Sequence, residues 1–226
     1  YSLSLHDALP IFMKTKNIFF KSIFILTICS ILLTLYFYPN LPNEIPIHFD
    51  YLGNPDNYGP RSFTFFTAFL PLIVLVLLKI IPKFDPKSAS YKLHQKAYTI
   101  FIAFLVLLFI LLHWVSLYVA LGYNLPIQKV VPISIGILFI VIGNYMPQIR
   151  PNYTYGIKLP WTLADENNWR ATHRIGGYCY IASGILFLLT GFASSLLISA
   201  CLLVAFIFLF IPMLYSYLYF KRHISK

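Results

Sequence analysis

The chain has 226 residues, 59% of them hydrophobic and 11% charged, against about 45–50% and about 25% in soluble domains, so an ordinary water-soluble globule is excluded. At roughly 20 apolar residues per span plus loops, this length accommodates about six membrane helices. The formal charge of +10 would suggest nucleic acid if it formed a solvated patch, but the basic residues flank apolar runs, the pattern that orients a membrane protein.

Residues 1–12 read as foreign. Asp7-Ala8-Leu9-Pro10-Ile11 is what a common sequencing-adapter end encodes, and Met13-Lys14-Thr15-Lys16 then opens like a membrane-protein start, so this stretch is set aside. Apolar runs of spanning length follow at about Ile18 to Tyr38, Phe63 to Ile81, Ala97 to Leu121, Val130 to Met146, Tyr178 to Phe192 and Ser195 to Phe220. The fifth is short, so its helix is expected to begin before Gly176 in the preceding polar segment. Ala193 and Ser194 are all that separates it from the sixth, which implies a tight antiparallel hairpin.

The expected fold is all-α: a polytopic membrane protein with about six transmembrane helices, a short extracytoplasmic cap and a cytoplasmic interfacial helix. Residues 13–81 form a first helical hairpin carrying an outer-loop domain at about 39–62. Residues 97–226 form a four-helix membrane region with a polar loop at about 143–177.

Charge sets the orientation. Lys14, Lys16 and Lys21, then Lys79, Lys83, Lys87, Lys92 and Lys96, then Arg150, Lys158, Arg170 and Arg174, and finally Lys221, Arg222 and Lys226 fall on one side, with only Arg61 and Lys129 opposite. The positive-inside rule therefore places both termini and the polar loop in the cytoplasm. Span interiors lack Asp, Glu, Lys and Arg, which argues against an ion-coupled transporter. Pro71, Pro132, Pro147 and Pro212 are positioned to bend or end helices. His113 beside Trp114 reads as an ordinary interfacial pair, and Cys29, Cys179 and Cys201 as small core residues with no zinc or disulfide spacing.

In the outer loop, Ile45, Ile47 and Phe49 alternate with Pro46 and His48, suggesting a short extended piece, and Gly53 to Asp56 carries turn residues. His48 with Glu44, Asp50 and Asp56 leaves three readings open: a hydrogen-bonded structural histidine, recognition of something outside the cell, or a divalent cation.

The inner loop is braced by Pro147, Pro151 and Pro160. Thr162 followed by Asp165 approximates a capping box, so a short amphipathic helix is expected from Leu163 to Arg174. On it Glu166 and Arg170 are one turn apart in the stabilising order, and Trp169 shares a face with His173. That aromatic face, with Trp161, suits the headgroup region, where Arg150, Lys158, Arg170 and Arg174 would meet phosphates. No nucleophile accompanies the acid and base candidates Asp165, Glu166 and His173, so no enzyme activity, cofactor or metal is expected.

Gly143-Asn144, Arg150-Pro151-Asn152, Gly156-Ile157-Lys158, Pro160-Trp161-Thr162-Leu163 and Trp169-Arg170-Ala171-Thr172-His173-Arg174 together resemble the SdpI family of bacterial immunity proteins. Leu41-Pro42, Ile45-Pro46-Ile47-His48-Phe49 and Gly53-Asn54-Pro55-Asp56 resemble the small domain of unknown function that commonly precedes it. The resemblance covers nearly everything after Met13. It implies a bacterial cytoplasmic-membrane protein that protects the cell from a secreted peptide toxin and, in the signalling version, captures a soluble DNA-binding repressor at the membrane without touching nucleic acid itself. Lys158 stands where Arg is common in the family, keeping the charge but losing the bidentate fork. Asn144, Arg150, Asn152, Gly156, Lys158, Trp161, Trp169, Arg170, His173 and Arg174 are the expected partner-facing or loop-ordering residues, with Pro46, His48, Phe49, Gly53 and Asp56 in the outer loop. The rival readings are a transporter or flippase for a peptide or lipid, and an envelope-modifying membrane enzyme.

Overall fold

The computed structural model describes residues 5–192 and 195–223. Residues 1–4 of the segment set aside, and the Ala193-Ser194 connection expected as a tight hairpin, lie outside the described residues. The order is α1 (Leu5–Phe37), β1 (Glu44–Phe49), β2 (Pro55–Pro60), α2 (Phe63–Ile80), α3 (Gln95–Ala120), α4 (Ile127–Tyr145), α5 (Pro160–Ala164), α6 (Glu166–Thr190) and α7 (Ser195–His223). Among the described residues five helices are long and apolar enough to cross a membrane. In hydrocarbon every backbone polar group needs an internal partner, so apolar runs of this length become helices.

Helix α6 is not among those five, and its later part is formed by the apolar run at Tyr178 to Phe192. Its first turns, Glu166 to Ile175, are polar and stand outside the apolar run, which lowers the helix's overall hydropathy. From there it runs antiparallel beside α4, from Gly177, next to Gly143, to Gly191, next to Ile133. The separate interfacial helix expected from Leu163 to Arg174 is corrected here: Asp165, not Thr162, caps α6 by accepting from the Asn168 N–H at 2.6 Å, and the helix continues without a break to Thr190. No Gly or Pro interrupts Glu166 to Ile175, so nothing stops the helix at the edge of the apolar run.

Glycines fix the α4–α6 contact. A Cβ on Gly136 would lie 2.7 Å from the Gly184 carbonyl oxygen, and one on Gly143 would lie 2.6 Å from that of Gly177. Pairs seven residues apart on each helix let the backbones touch, the small-residue packing that substitutes for hydrophobic drive between membrane helices. This spacing is visible in the sequence, and the reading by apolar runs passed over it. Ser183 Oγ donates to the Ala205 carbonyl and Asn168 Nδ2 to that of Ser216, tying α6 to α7.

A second group is α1, α2 and α3. His113 is buried, with Nε2 2.8 Å from Thr34 Oγ1 and Nδ1 2.9 Å from Thr67 Oγ1, so one imidazole joins all three helices. Trp114 Nε1 donates to Ser30 Oγ. The interfacial reading of this pair is thereby corrected: the hydroxyls of Thr34 and Thr67 draw the ring inward, because an apolar bundle offers a polar side chain no other partners.

The outer loop is an antiparallel hairpin, an addition to the all-α expectation. Its β1–β2 pairing runs from Glu44 opposite Pro60 to Phe49 opposite Pro55, with irregularities around His48. It caps one end of the bundle through Leu41 and Ile45, which pack on Leu117 and Ala120 of α3.

Candidate recognition site

At the end opposite the hairpin, residues 149–159 fold into a loop held by side chains that both accept from its backbone N–H groups and donate to its carbonyls. Asn152 is fully buried; its Oδ1 accepts from the N–H groups of Thr154 and Tyr155, both at 2.9 Å, and its Nδ2 donates to the Arg150 carbonyl. This is the turn-forming habit of a short amide side chain bonding its own backbone. Asp85, from the α2–α3 connection, accepts from the Tyr153 N–H, Thr154 Oγ1, Tyr91 OH and the Lys87 N–H. Burial pushes its carboxyl up, but these four hydrogen bonds outweigh that and hold it below the ordinary carboxylate value. The α2–α3 connection and the α4–α5 loop are therefore one structure.

Trp169 and His173 stand beneath the loop, both with 0% exposure. Trp169 Nε1 donates to the Ile149 carbonyl at 2.9 Å, and its ring stacks on His173 at 4.1 Å between centroids. His173 Nδ1 lies 2.8 Å from the Trp169 carbonyl and Nε2 accepts from the Ile157 N–H at 3.1 Å. A carbonyl can only accept, so Nδ1 carries the proton and Nε2 is the bare acceptor; the imidazole is neutral. Burial keeps it so, holding its pKa at about 4 against the opposing pull of the Trp169 carbonyl. Gly156, at φ +111°, arches over this ring, where a Cβ would sit 2.6 Å from His173 Nε2.

His94, also buried, accepts from the Arg150 N–H through Nδ1 at 3.2 Å. Its proton therefore sits on Nε2, which has no hydrogen-bond partner among the described residues. Burial first, then the Arg150 charge, holds its pKa at about 4. Thr162 closes the loop's far end, donating toward the Ile157 and Leu159 carbonyls while accepting from the Leu159 N–H.

The expected site residues thus divide into two sets. Asn152, Trp169 and His173 are buried and, with Gly156 at the exposed crest of the arch, shape the loop; the expectation that Trp169 and His173 face the membrane is corrected, because the backbone of 149–157 needs their polar atoms. Asn144, Lys158, Arg170 and Arg174 are exposed, and Arg150 is half-buried. Lys158 Nζ donates to the Tyr153 and Thr154 carbonyls, acceptors that suit an ammonium without a planar fork. Arg170 pairs with Glu166 at 2.6 Å on the surface. Lys87, Arg150, Leu163, Glu166 and Arg170 line an open cleft of about 690 Å³. Trp161 packs on Tyr217 and Phe220 of α7. Asp85, Tyr91 and His94 were missed by sequence reading, since they lie in the preceding connection; a lone Asp among lysines was the available signal.

At the hairpin end, His48 Nδ1 meets Asp56 Oδ1 at 2.6 Å on an exposed surface. Asp50 accepts from the Leu52 and Asn54 N–H groups, and the Asn54 bond foremost lowers its pKa. The buried Pro46 accepts through its carbonyl from Ser116 Oγ, and Gly53, at φ +85°, lies against Gln128. Below the hairpin a groove of about 530 Å³ runs from Phe49 and Tyr51 down to His113 and Thr67.

A sequence profile of the SdpI/YfhL protein family matches residues 148–219, and one for a domain of unknown function, DUF1648, matches residues 25–75. The chain is 31% identical over 213 residues to a protein described as "Immunity protein SdpI" from Bacillus subtilis (strain 168), an alignment covering 92% of this chain and 97% of that relative. No solved structure matches.

Proposed function

The chain belongs to the SdpI family of membrane proteins, and from that premise we propose that it is an immunity protein protecting its cell against a secreted peptide toxin. The observation that carries this reading is the alignment with a relative described as an immunity protein along almost its whole length. Two features support it. The groove beneath the hairpin opens among α2, α3, α4, α6 and α7 and is mainly apolar, which suits an amphipathic peptide arriving from outside or within the bilayer. Exposed Tyr51, Leu52 and Tyr58 stand on the hairpin, where a peptide would first make contact.

In this reading the hairpin end faces outward and the basic end, with both termini, lies in the cytoplasm of a bacterium, following the positive-inside rule. The cytoplasmic loop is the reporter. Its shaping set (Asn152, Gly156, Trp169, His173) gives it one form, and the basic set (the half-buried Arg150 with the exposed Lys158, Arg170 and Arg174) offers that form to a soluble partner such as a DNA-binding repressor. Signalling requires the toxin to bind two states of the loop unequally.

The test is survival of a toxin-sensitive bacterium expressing the full chain, with the Bacillus subtilis relative as control. Protection is expected, reduced by Tyr51→Ser with Leu52→Ser and retained in Arg170→Ala with Arg174→Ala, which should instead abolish repressor capture. Protection by the relative but none by this chain, at equal membrane abundance, refutes immunity to that toxin. Energised efflux of labelled toxin would replace binding with transport.

A further inference from the structure

Between α1, α2 and α3, at the basic end, lies a cavity of about 640 Å³ that the toxin reading does not use. Its origin is in how the three helices are held. His113 and Trp114 pin them together near the hairpin end through Thr34, Thr67 and Ser30. Toward the basic end Tyr98 OH donates to the Leu78 carbonyl and joins α3 to α2, and the cavity lies between that joined pair and α1. The bundle therefore opens as a wedge. Its walls are apolar, with Phe24 from α1, Leu75 from α2 and Ile102 from α3, and its rim carries Lys21, Lys79 and Lys92.

Those three ammonium groups come from α1, α2 and the connection before α3, and no carboxylate among the described residues lines the cavity. Asp85, behind Tyr91, is committed to four donors of the adjoining loops. Lys79 Nζ is 6.0 Å from the centroid of the Phe20 ring, which keeps one ammonium at the rim. An apolar slot between membrane helices, closed at depth and ringed by three cations at the interface, has the charge and polarity of a phospholipid turned outside in.

We propose that this wedge is a binding site for an anionic diacyl phospholipid of the leaflet at the basic end. The phosphate group sits among Lys21, Lys79 and Lys92, and the upper acyl chain lies against Phe24 and Val76, over the buried floor formed by Leu75 and Ile102. A zwitterionic lipid brings its own cation to the rim and loses the gain from three ammonium groups. Basic pockets between membrane helices recognise anionic headgroups on these grounds, because the cations meet the phosphate where the bilayer surface is already negative. The site rests on the cavity and its charges alone, independently of immunity.

The experiment uses the full chain in nanodiscs of phosphatidylcholine with a minor fraction of phosphatidylglycerol, followed by native mass spectrometry of lipid retained on release. Retention of phosphatidylglycerol at least tenfold above its bulk ratio is expected. Lys21→Gln, Lys79→Gln and Lys92→Gln together should reduce that selectivity at least fivefold, whereas Lys83→Gln, Lys96→Gln and Arg222→Gln, the same charge removed from the same end, should leave it within twofold. Retention of both lipids at their bulk ratio by the unmodified chain overturns the site. Equal loss in the two triple variants also overturns it, by assigning the effect to diffuse surface charge. A third arm raises inorganic phosphate in detergent: a rise in melting temperature equal to that given by phosphatidylglycerol would show that the slot is not used and overturn the lipid assignment.

Discussion

Gly156→Ala should destabilise the loop at the basic end by more than its backbone strain. At φ +111° an L side chain is strained, which costs about 1–3 kcal/mol. The new Cβ would also sit 2.6 Å from His173 Nε2, so the ring must move off the Ile157 N–H, and a buried donor without a partner costs about a further 1–3 kcal/mol. Together this is about 2–6 kcal/mol, a large fraction of a typical folding free energy of about 5–15 kcal/mol. Gly122 provides the control, because it has φ +89° with nothing within 4 Å of where a Cβ would stand. Thermal unfolding in nanodiscs, followed by tryptophan fluorescence and by proteolysis at residues 149–159, should show Gly156→Ala losing clearly more stability than Gly122→Ala. The excess should shrink in a His173→Ala background, since the two changes share one contact. If the two alanine variants lose the same stability, or the excess persists without His173, the assignment of His173 as the loop's acceptor is wrong.

Acid should loosen the same loop. His94 and His173 are held at about 4 in the folded chain, below the ordinary 6.5. The unfolded chain therefore takes up protons first: stability is complete above about pH 6.5 and is lost as pH falls toward 4, at up to about 1.4 kcal/mol per unit per histidine. Melting temperatures between pH 7.5 and 4.5 should fall on the acid side, less steeply in His173→Gln; a flat profile contradicts two neutral buried imidazoles. Gly184→Val should separate α4 from α6, because its Cβ position is 2.6 Å from the Gly136 carbonyl oxygen; the expected cost is about 1–3 kcal/mol or more, read as a lower melting temperature and reduced membrane abundance. Thr34→Val with Thr67→Val leaves His113 without either hydroxyl, and the resulting loss should exceed the sum of the single variants' losses if one imidazole bridges both. By contrast Asp56→Asn removes an exposed pair and should change stability by no more than about 1 kcal/mol.

Much of the architecture is legible in the chain. Apolar runs mark the helices, and the Lys and Arg distribution matches the two ends of the molecule: Arg61 and Lys129 lie by the hairpin, and the α2–α3 and α4–α5 connections meet at the other end through Asp85 and Asn152. Of the four prolines expected to bend or end helices only Pro147 follows a helix end, while Pro71, Pro132 and Pro212 lie inside α2, α4 and α7. At α6 the shortness of the apolar run correctly put the helix start before Gly176 in the polar stretch, but not its extent or its cap: the segment expected as a separate interfacial helix after Thr162 is the first part of α6, because helical backbone is indifferent to the change of solvent once Asp165 has capped it. The outer loop was readable as extended around Ile45, Ile47 and Phe49, but the second strand, Pro55–Pro60, carries two prolines and a glycine and has little strand propensity; pairing with β1 and packing on α3 decide it.

The candidate site shows the same division. Sequence alone identified the polar loop, its prolines, its basic residues and the aromatic positions of α6. It could not tell inside from outside, because Trp169 and Arg170 are neighbours in the chain and their fates depend on which helix face the loop covers. That choice was made by unpaired backbone groups: Ile149 C=O and Ile157 N–H needed partners away from water, and Trp169 Nε1 and His173 Nε2 were the groups within reach. Nor could the sequence join Asp85 to Tyr153 and Thr154 far along the chain, or open a wedge between α1, α2 and α3. Composition and charge order determine which segments enter the membrane and which ends carry charge, because the bilayer judges each segment locally. Which side chains become interior and which remain available to a partner is a property of three-dimensional packing, where distant backbone donors and acceptors must be satisfied together.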